Sequence, residues 1–166
     1  ALKPKTPMQN RRDADKLLRD TVARRFEEQH KRASQLQTEL VSAGKIEFVD
    51  DMEKATIKLQ TFMDKISRAP RGYSGLFDAV KINEKELEAI YQFDAAFFDL
   101  AEQIGRALDN VEQSLGDDAA LPAAIRNLAT LARQAVEVYE KRDEVVTGMH
   151  YQTNVVARRA KPDACP

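Results

Sequence analysis

Residues 83–116, NEKELEAIYQFDAAFFDLAEQIGRALDNVEQSLG, hold a helix start, a long apolar repeat and a helix stop in one stretch. Asn83 and Glu86 have the spacing of a capping box, in which the two side chains satisfy each other's backbone N–H groups. Gly116 stands where a left-handed cap is usual. Between these ends Leu87, Ile90, Asp94, Phe97, Ala101, Ile104, Leu108, Val111 and Leu115 follow one another in steps of three and four, which keeps one stripe toward a partner helix. Asp94 stands where a hydrophobe belongs. At about 1.5 Å per residue the helix is roughly 50 Å long, and only other long helices can cover it.

The rest of the chain supplies such helices. Helix 1, over 10–43, has the seam Leu18, Val22, Phe26, Gln29, Ala33, Leu36, Leu40. Its outer face is dense in charge and is predicted to include Arg11, Arg12, Asp15, Lys16, Arg19, Asp20, Arg24 and Arg25. Ser42-Ala43-Gly44 turns the chain back, and helix 2, over 47–69, continues with Met52, Ala55, Leu59, Phe62 and Ile66. Pairing about Gly44 sets Leu36 against Met52, Ala33 against Ala55 and Phe26 against Phe62. Pro70 is predicted to end helix 2 and open a long connection, 70–82, that is punctuated by Gly72 and Gly75 and holds Tyr73, Leu76, Phe77, Val80 and Ile82. Helix 4, over 118–147, begins after Asp117-Asp118 and carries Leu121, Ile125, Leu128, Ala132, Ala135, Tyr139, Arg142, Val146 and Met149. The prediction is an all-α, antiparallel, up-down-up-down bundle of four long helices with one long connection between helices 2 and 3. Residues 1–9 form a flexible arm, 10–149 the bundle domain and 150–166 a basic tail or linker.

Composition agrees with one folded domain. The chain has 166 residues, 43% of them hydrophobic and 32% charged, with no Trp and only six Gly and six Pro, a balance that favours helix and disfavours disorder. A net charge of -1 gives no global argument for nucleic acid. The charge is uneven, however: residues 1–32 hold ten Lys/Arg against five Asp/Glu, and residues 83–121 hold two against ten. A basic helix 1 and an acidic helix 3 attract one another, within one bundle or between subunits. The single cysteine, Cys165, excludes an internal disulfide framework and fits a reducing cytoplasm. Cys165-Pro166 at the end of a basic stretch also has the form of the first half of a Cys-Pro-x-Cys zinc knuckle, which a longer chain would complete.

Two features carry functional expectations. Connecting helices 3 and 4 as a hairpin about Gly116-Asp117 sets Asp94 opposite Tyr139 and Tyr91 opposite Arg142. A buried polar group made of Asp94, Tyr139 and Arg142 follows, with Asp94 accepting a hydrogen bond from Tyr139 or Arg142 to avoid the cost of an unpaired carboxylate. Its role is expected to be the fixing of register. The apolar connection, with Arg68 and Arg71 beside Tyr73, Leu76 and Phe77, is the expected partner-binding segment.

Catalytic patterns are sparse. Glu27 and His30 have the Glu-x-x-His spacing of di-iron bundles, but His150 has no Glu three residues before it to supply the second copy. Gly72-Tyr73-Ser74-Gly75 lacks the spacing of a nucleophile elbow, and no phosphate-cradling loop or dinucleotide fingerprint is present. The expectation is a non-enzymatic interaction or scaffold module, without cofactor, metal or small-molecule substrate, that binds a protein partner or itself. The alternative is a peripheral protein using its basic first helix and Leu76/Phe77 on anionic lipid.

Overall fold

The computed structural model describes the backbone of residues 4–79 and 84–159, and the side chains of 4–7, 9–66 and 84–149. It is an all-α bundle of four helices: α1 Pro7–Ser42, α2 Ile46–Ala79, α3 Glu84–Gln113 and α4 Leu121–Arg159. Directions alternate up-down-up-down, and the lateral order is specific. α1 packs on α2 and α3, and α4 packs on α2 and α3, so α1 lies diagonally from α4 and α2 from α3. Two antiparallel hairpins are thus laid side by side, with α1 parallel to its neighbour α3.

Helix ends differ from the sequence expectation where local chemistry outweighs the breaker residues. α1 starts at Pro7, inside the predicted arm, because Thr6 and Gln9 form a reciprocal capping box and Pro7 takes the first turn. α2 does not stop at Pro70 but runs to Ala79, which removes the predicted long connection. The three-and-four spacing continues in the sequence on both sides of Pro70, from Ile66 to Tyr73 to Phe77, and that period outweighs one lost backbone hydrogen bond. α4 likewise continues through the first part of the predicted tail. Asn83 and Cys165 lie outside the described residues.

The α1–α2 turn is a Schellman motif. Lys45 N–H donates to the Leu40 carbonyl at 2.9 Å and Gly44 N–H to that of Val41 at 3.0 Å, with Gly44 at φ +72°. Gly116 is not left-handed: among the described residues Gly44 is the only glycine with positive φ. The α3–α4 turn instead rests on Asp117, whose side chain accepts from Ala119 N–H at 3.0 Å. Lys45 clasps the two turns together, donating to the Leu115 carbonyl and lying 2.7 Å from Asp118.

Above this closed end the core is apolar through Leu40, Met52, Leu108, Val111, Leu121 and Ile125, all essentially inaccessible. Midway, one aromatic ring comes from each helix. Phe26 meets Phe62 at 4.1 Å between centroids, as the Gly44 pairing predicts, and Phe62 meets Phe97 at 5.1 Å and Tyr139 at 6.1 Å.

Candidate functional site: a charged layer in the core

Beyond the aromatic layer the core changes character. The buried positions of α1 are Asp15, Val22, Phe26, Gln29, Ala33, Leu36 and Leu40, with Arg19 nearly so. Together with the half-buried Arg12 they read 12, 15, 19, 22, 26, 29, 33, 36, 40, an unbroken alternation of three and four steps whose first members are charged. Sequence expectation placed Arg12, Asp15 and Arg19 on the outer face and began the seam at Leu18. Leu18 is only partly buried and Leu17 is 67% exposed. The signal was available: Asp15 is seven residues before Val22 and Arg19 seven before Phe26, and the period holds although the residue type does not.

Asp15, Arg19, Asp94 and Arg142 form one cluster drawn from three helices. Asp15, Asp94 and Arg142 are each 1% exposed. Arg19 is one helical turn after Asp15 and pairs with it, while its Nε lies 3.6 Å from Asp94 Oδ2. The Arg142 guanidinium lies 3.5 Å from Asp94 Oδ1 and 5.6 Å from the centre of the Tyr139 ring, and Tyr139 stacks on Phe97 at 6.0 Å. Both contacts to Asp94 are ion-pair distances, longer than a good N–H···O bond. Burial, and then the neighbouring Asp15 carboxyl, push the Asp94 carboxyl up to about 8, against the opposing pull of Arg142 and Arg19. Two carboxyl oxygens in this layer, Asp15 Oδ1 and Asp94 Oδ2, have no N–H or O–H donor. Glu86, on the same face of α3 two turns before Asp94, is also buried.

The other singled-out residues are placed as follows. Tyr91, expected opposite Arg142, lies instead under the Arg11 guanidinium at 5.6 Å. Arg68, Arg71, Tyr73, Leu76 and Phe77 belong to α2 by their backbone, and their side chains lie outside the described residues. Residues 72–75 are helical, so the chain makes no elbow there. Glu27 is exposed, its carboxylate 3.9 Å from Lys31, while His30 is half-buried. Among the described residues no three His, Cys, Asp or Glu converge, and no helix is long and apolar enough to cross a membrane.

The charge asymmetry between α1 and α3 is consumed where the two run side by side. Arg11 pairs with Glu88, Arg25 with Glu102, and Arg32 with Asp109 at 2.6 Å and Glu112 at 3.0 Å. Arg25 also covers the Phe98 ring at 4.9 Å. Between these pairs the buried Gln29 amide donates to the Ala101 carbonyl, beside Gly105, where an added Cβ would meet the amide at an ordinary contact distance of 3.7 Å. No family model, no curated protein and no solved structure matches this chain.

Proposed function

We propose that the chain is a non-enzymatic helical scaffold that binds a protein partner or a second copy of itself through its first hairpin. The observation that carries this is the asymmetry of the surface. Among the described residues, the large hydrophobic side chains more than half exposed are Leu17, Val41, Ile46 and Ile57, and all four lie on α1 and α2. α2 also carries Arg68, Arg71, Tyr73, Leu76 and Phe77, a mixture of arginine and aromatic residues of the kind enriched at interface centres. The single cysteine suits work in the reducing cytoplasm.

A lipid-bound role draws less support, because the α3-facing arginines of α1 are already matched by carboxylates and have little charge left for anionic headgroups. Light scattering on a size-exclusion column tests the proposal, for the wild type, for Leu76→Ser/Phe77→Ser and for Ile46→Ser/Ile57→Ser. The expected result is a wild-type oligomer that at least one double change reduces to a folded monomer. A wild-type monomer whose thermal midpoint, but not its size, falls in the Leu76/Phe77 variant makes that segment a structural element and overturns its role in self-association. Salt-sensitive co-sedimentation with anionic vesicles would favour the lipid alternative instead.

A further inference from the structure

The side of α2 turned away from the core carries a stripe of its own. Ile46, Asp50, Glu53, Ile57, Gln60 and Asp64 follow one another in steps of four and three, all are exposed, and they back onto the buried line Met52, Ala55, Leu59 and Phe62. Ile46 is 73% and Ile57 54% exposed, and they stand about three helical turns apart. The rest of the stripe is acidic, with no Lys or Arg in it. Its carboxylates differ from those of α3 in one respect. Glu88, Glu102, Asp109 and Glu112 are each matched by an arginine of α1, whereas Asp50, Glu53 and Asp64 have no ion pair among the described residues. The neighbouring Lys54 lies 3.7 Å from Asp51, off the stripe, and Asp64 accepts from the Gln60 amide at 2.9 Å. α4 also has an exposed acidic run, Glu137, Glu140 and Glu144, but no exposed large hydrophobe accompanies it among the described residues.

Resting on the partner-binding reading of the first hairpin, we propose that this stripe is the docking surface for a basic amphipathic helix of a protein partner. The apolar residues of that helix sit on Ile46 and Ile57, and its Lys or Arg residues between them meet Asp50 and Glu53. Charge selects this occupant. A second copy laid antiparallel across a two-fold axis, with Ile46 on the Ile57 of the copy, also sets Asp50 on its Glu53, and like charges in register oppose association. The exposed Leu17 serves a copy no better, because Asp13 and Asp20 flank it on its own stripe. Anionic lipid and nucleic acid are repelled by the same carboxylates. A cationic helix instead gains an ion pair at each acidic position and removes both isoleucines from water. The stripe from Ile46 to Asp64 is about 27 Å long, so docking along it belongs to the small, transient class of interface and is sensitive to salt.

The experiment is fluorescence anisotropy on the full chain with a dye-labelled helical peptide of about 18 residues, leucine on one face and lysine on the other, and with its glutamate-for-lysine counterpart. At low salt the lysine peptide should bind the wild type and the glutamate peptide should not. Ile46→Ser/Ile57→Ser and, separately, Asp50→Asn/Glu53→Gln/Asp64→Asn should each weaken binding by about tenfold, the second also flattening its salt dependence. Glu137→Gln/Glu140→Gln/Glu144→Gln, which removes as much charge from α4, should leave binding within about twofold. All these positions are exposed, and circular dichroism checks that each variant stays folded. No binding to the wild type, undiminished binding to both α2 variants, or an equal loss in the α4 variant overturns the docking surface. Light scattering separates this outcome from the wider reading: an oligomer that depends on Leu76 and Phe77 but ignores the peptide removes the stripe alone, and a chain that neither self-associates nor binds the peptide removes both.

Discussion

The two ends of this bundle follow one seam rule and fill it with opposite chemistry. At the turn end, heptad positions are Leu36, Leu40, Met52, Leu108, Leu121 and Ile125, and two short turns are tied together by one lysine. At the other end Asp15, Arg19, Asp94 and Arg142 enter those positions beside the buried Ile66, Leu87, Ile90 and Val146. The first end gains stability from every methylene it buries. The second holds charges whose mutual attraction must first offset the cost of removing them from water, a balance that often favours a hydrophobic replacement. Periodicity therefore sets where a side chain goes, and residue type sets what that position contributes.

The largest expected effect lies at the boundary between the ends. Phe62 touches a ring from each of the other three helices, so Phe62→Ala should lower unfolding free energy by about 3–5 kcal/mol in urea melts. A loss below about 1 kcal/mol would mean that the aromatic layer is loosely packed and does not separate the ends.

Next in size is replacement of the whole charged cluster. Asp15→Leu, Arg19→Met, Asp94→Leu and Arg142→Met together should leave a folded, helical chain more stable by about 1–4 kcal/mol at pH 7, whereas Arg142→Met alone should destabilise. Circular dichroism with urea titration measures both. A destabilised quadruple variant would show that the cluster contributes net stability and that the contrast between the ends is one of composition only.

Much of the fold was legible before any coordinates. Four long seams, their order and the facing of Phe26 and Phe62 follow from steps of three and four and one glycine turn. Two failures have one cause, which is trusting residue type over period. Pro70 looked like a stop and is passed through, and Asp15 and Arg19 looked solvated and are buried. Of the charged layer, Asp94 and Arg142 stood out because they interrupt otherwise apolar stripes. Their partners on α1 did not, because charged residues surround them in sequence and only the register with Val22 and Phe26 distinguishes them. The diagonal placement of α2 and α3 has no sequence signal of its own, since the direction of each helix is the same for either lateral order.

The smallest effects concern the glycines at the two turns of the closed end, and here sequence and structure disagree most usefully. Both Gly44 and Gly116 follow the end of a helix, and sequence expectation gives both a left-handed conformation. Only Gly44 has it, at φ +72°, and neither has a neighbouring atom within 4 Å of an added Cβ. Sterics at the backbone, not space around it, therefore decide the outcome. Gly44→Ala should cost about 1–2 kcal/mol through the left-handed penalty. Gly116→Ala meets no such penalty and restricts the unfolded chain, so it should be neutral or stabilise by about 0.4–1 kcal/mol. Paired thermal melts separate the two. Equal losses would mean that Gly116 also needs positive φ in solution, and that the closed end depends on two glycine caps rather than on one glycine and the Asp117 side chain.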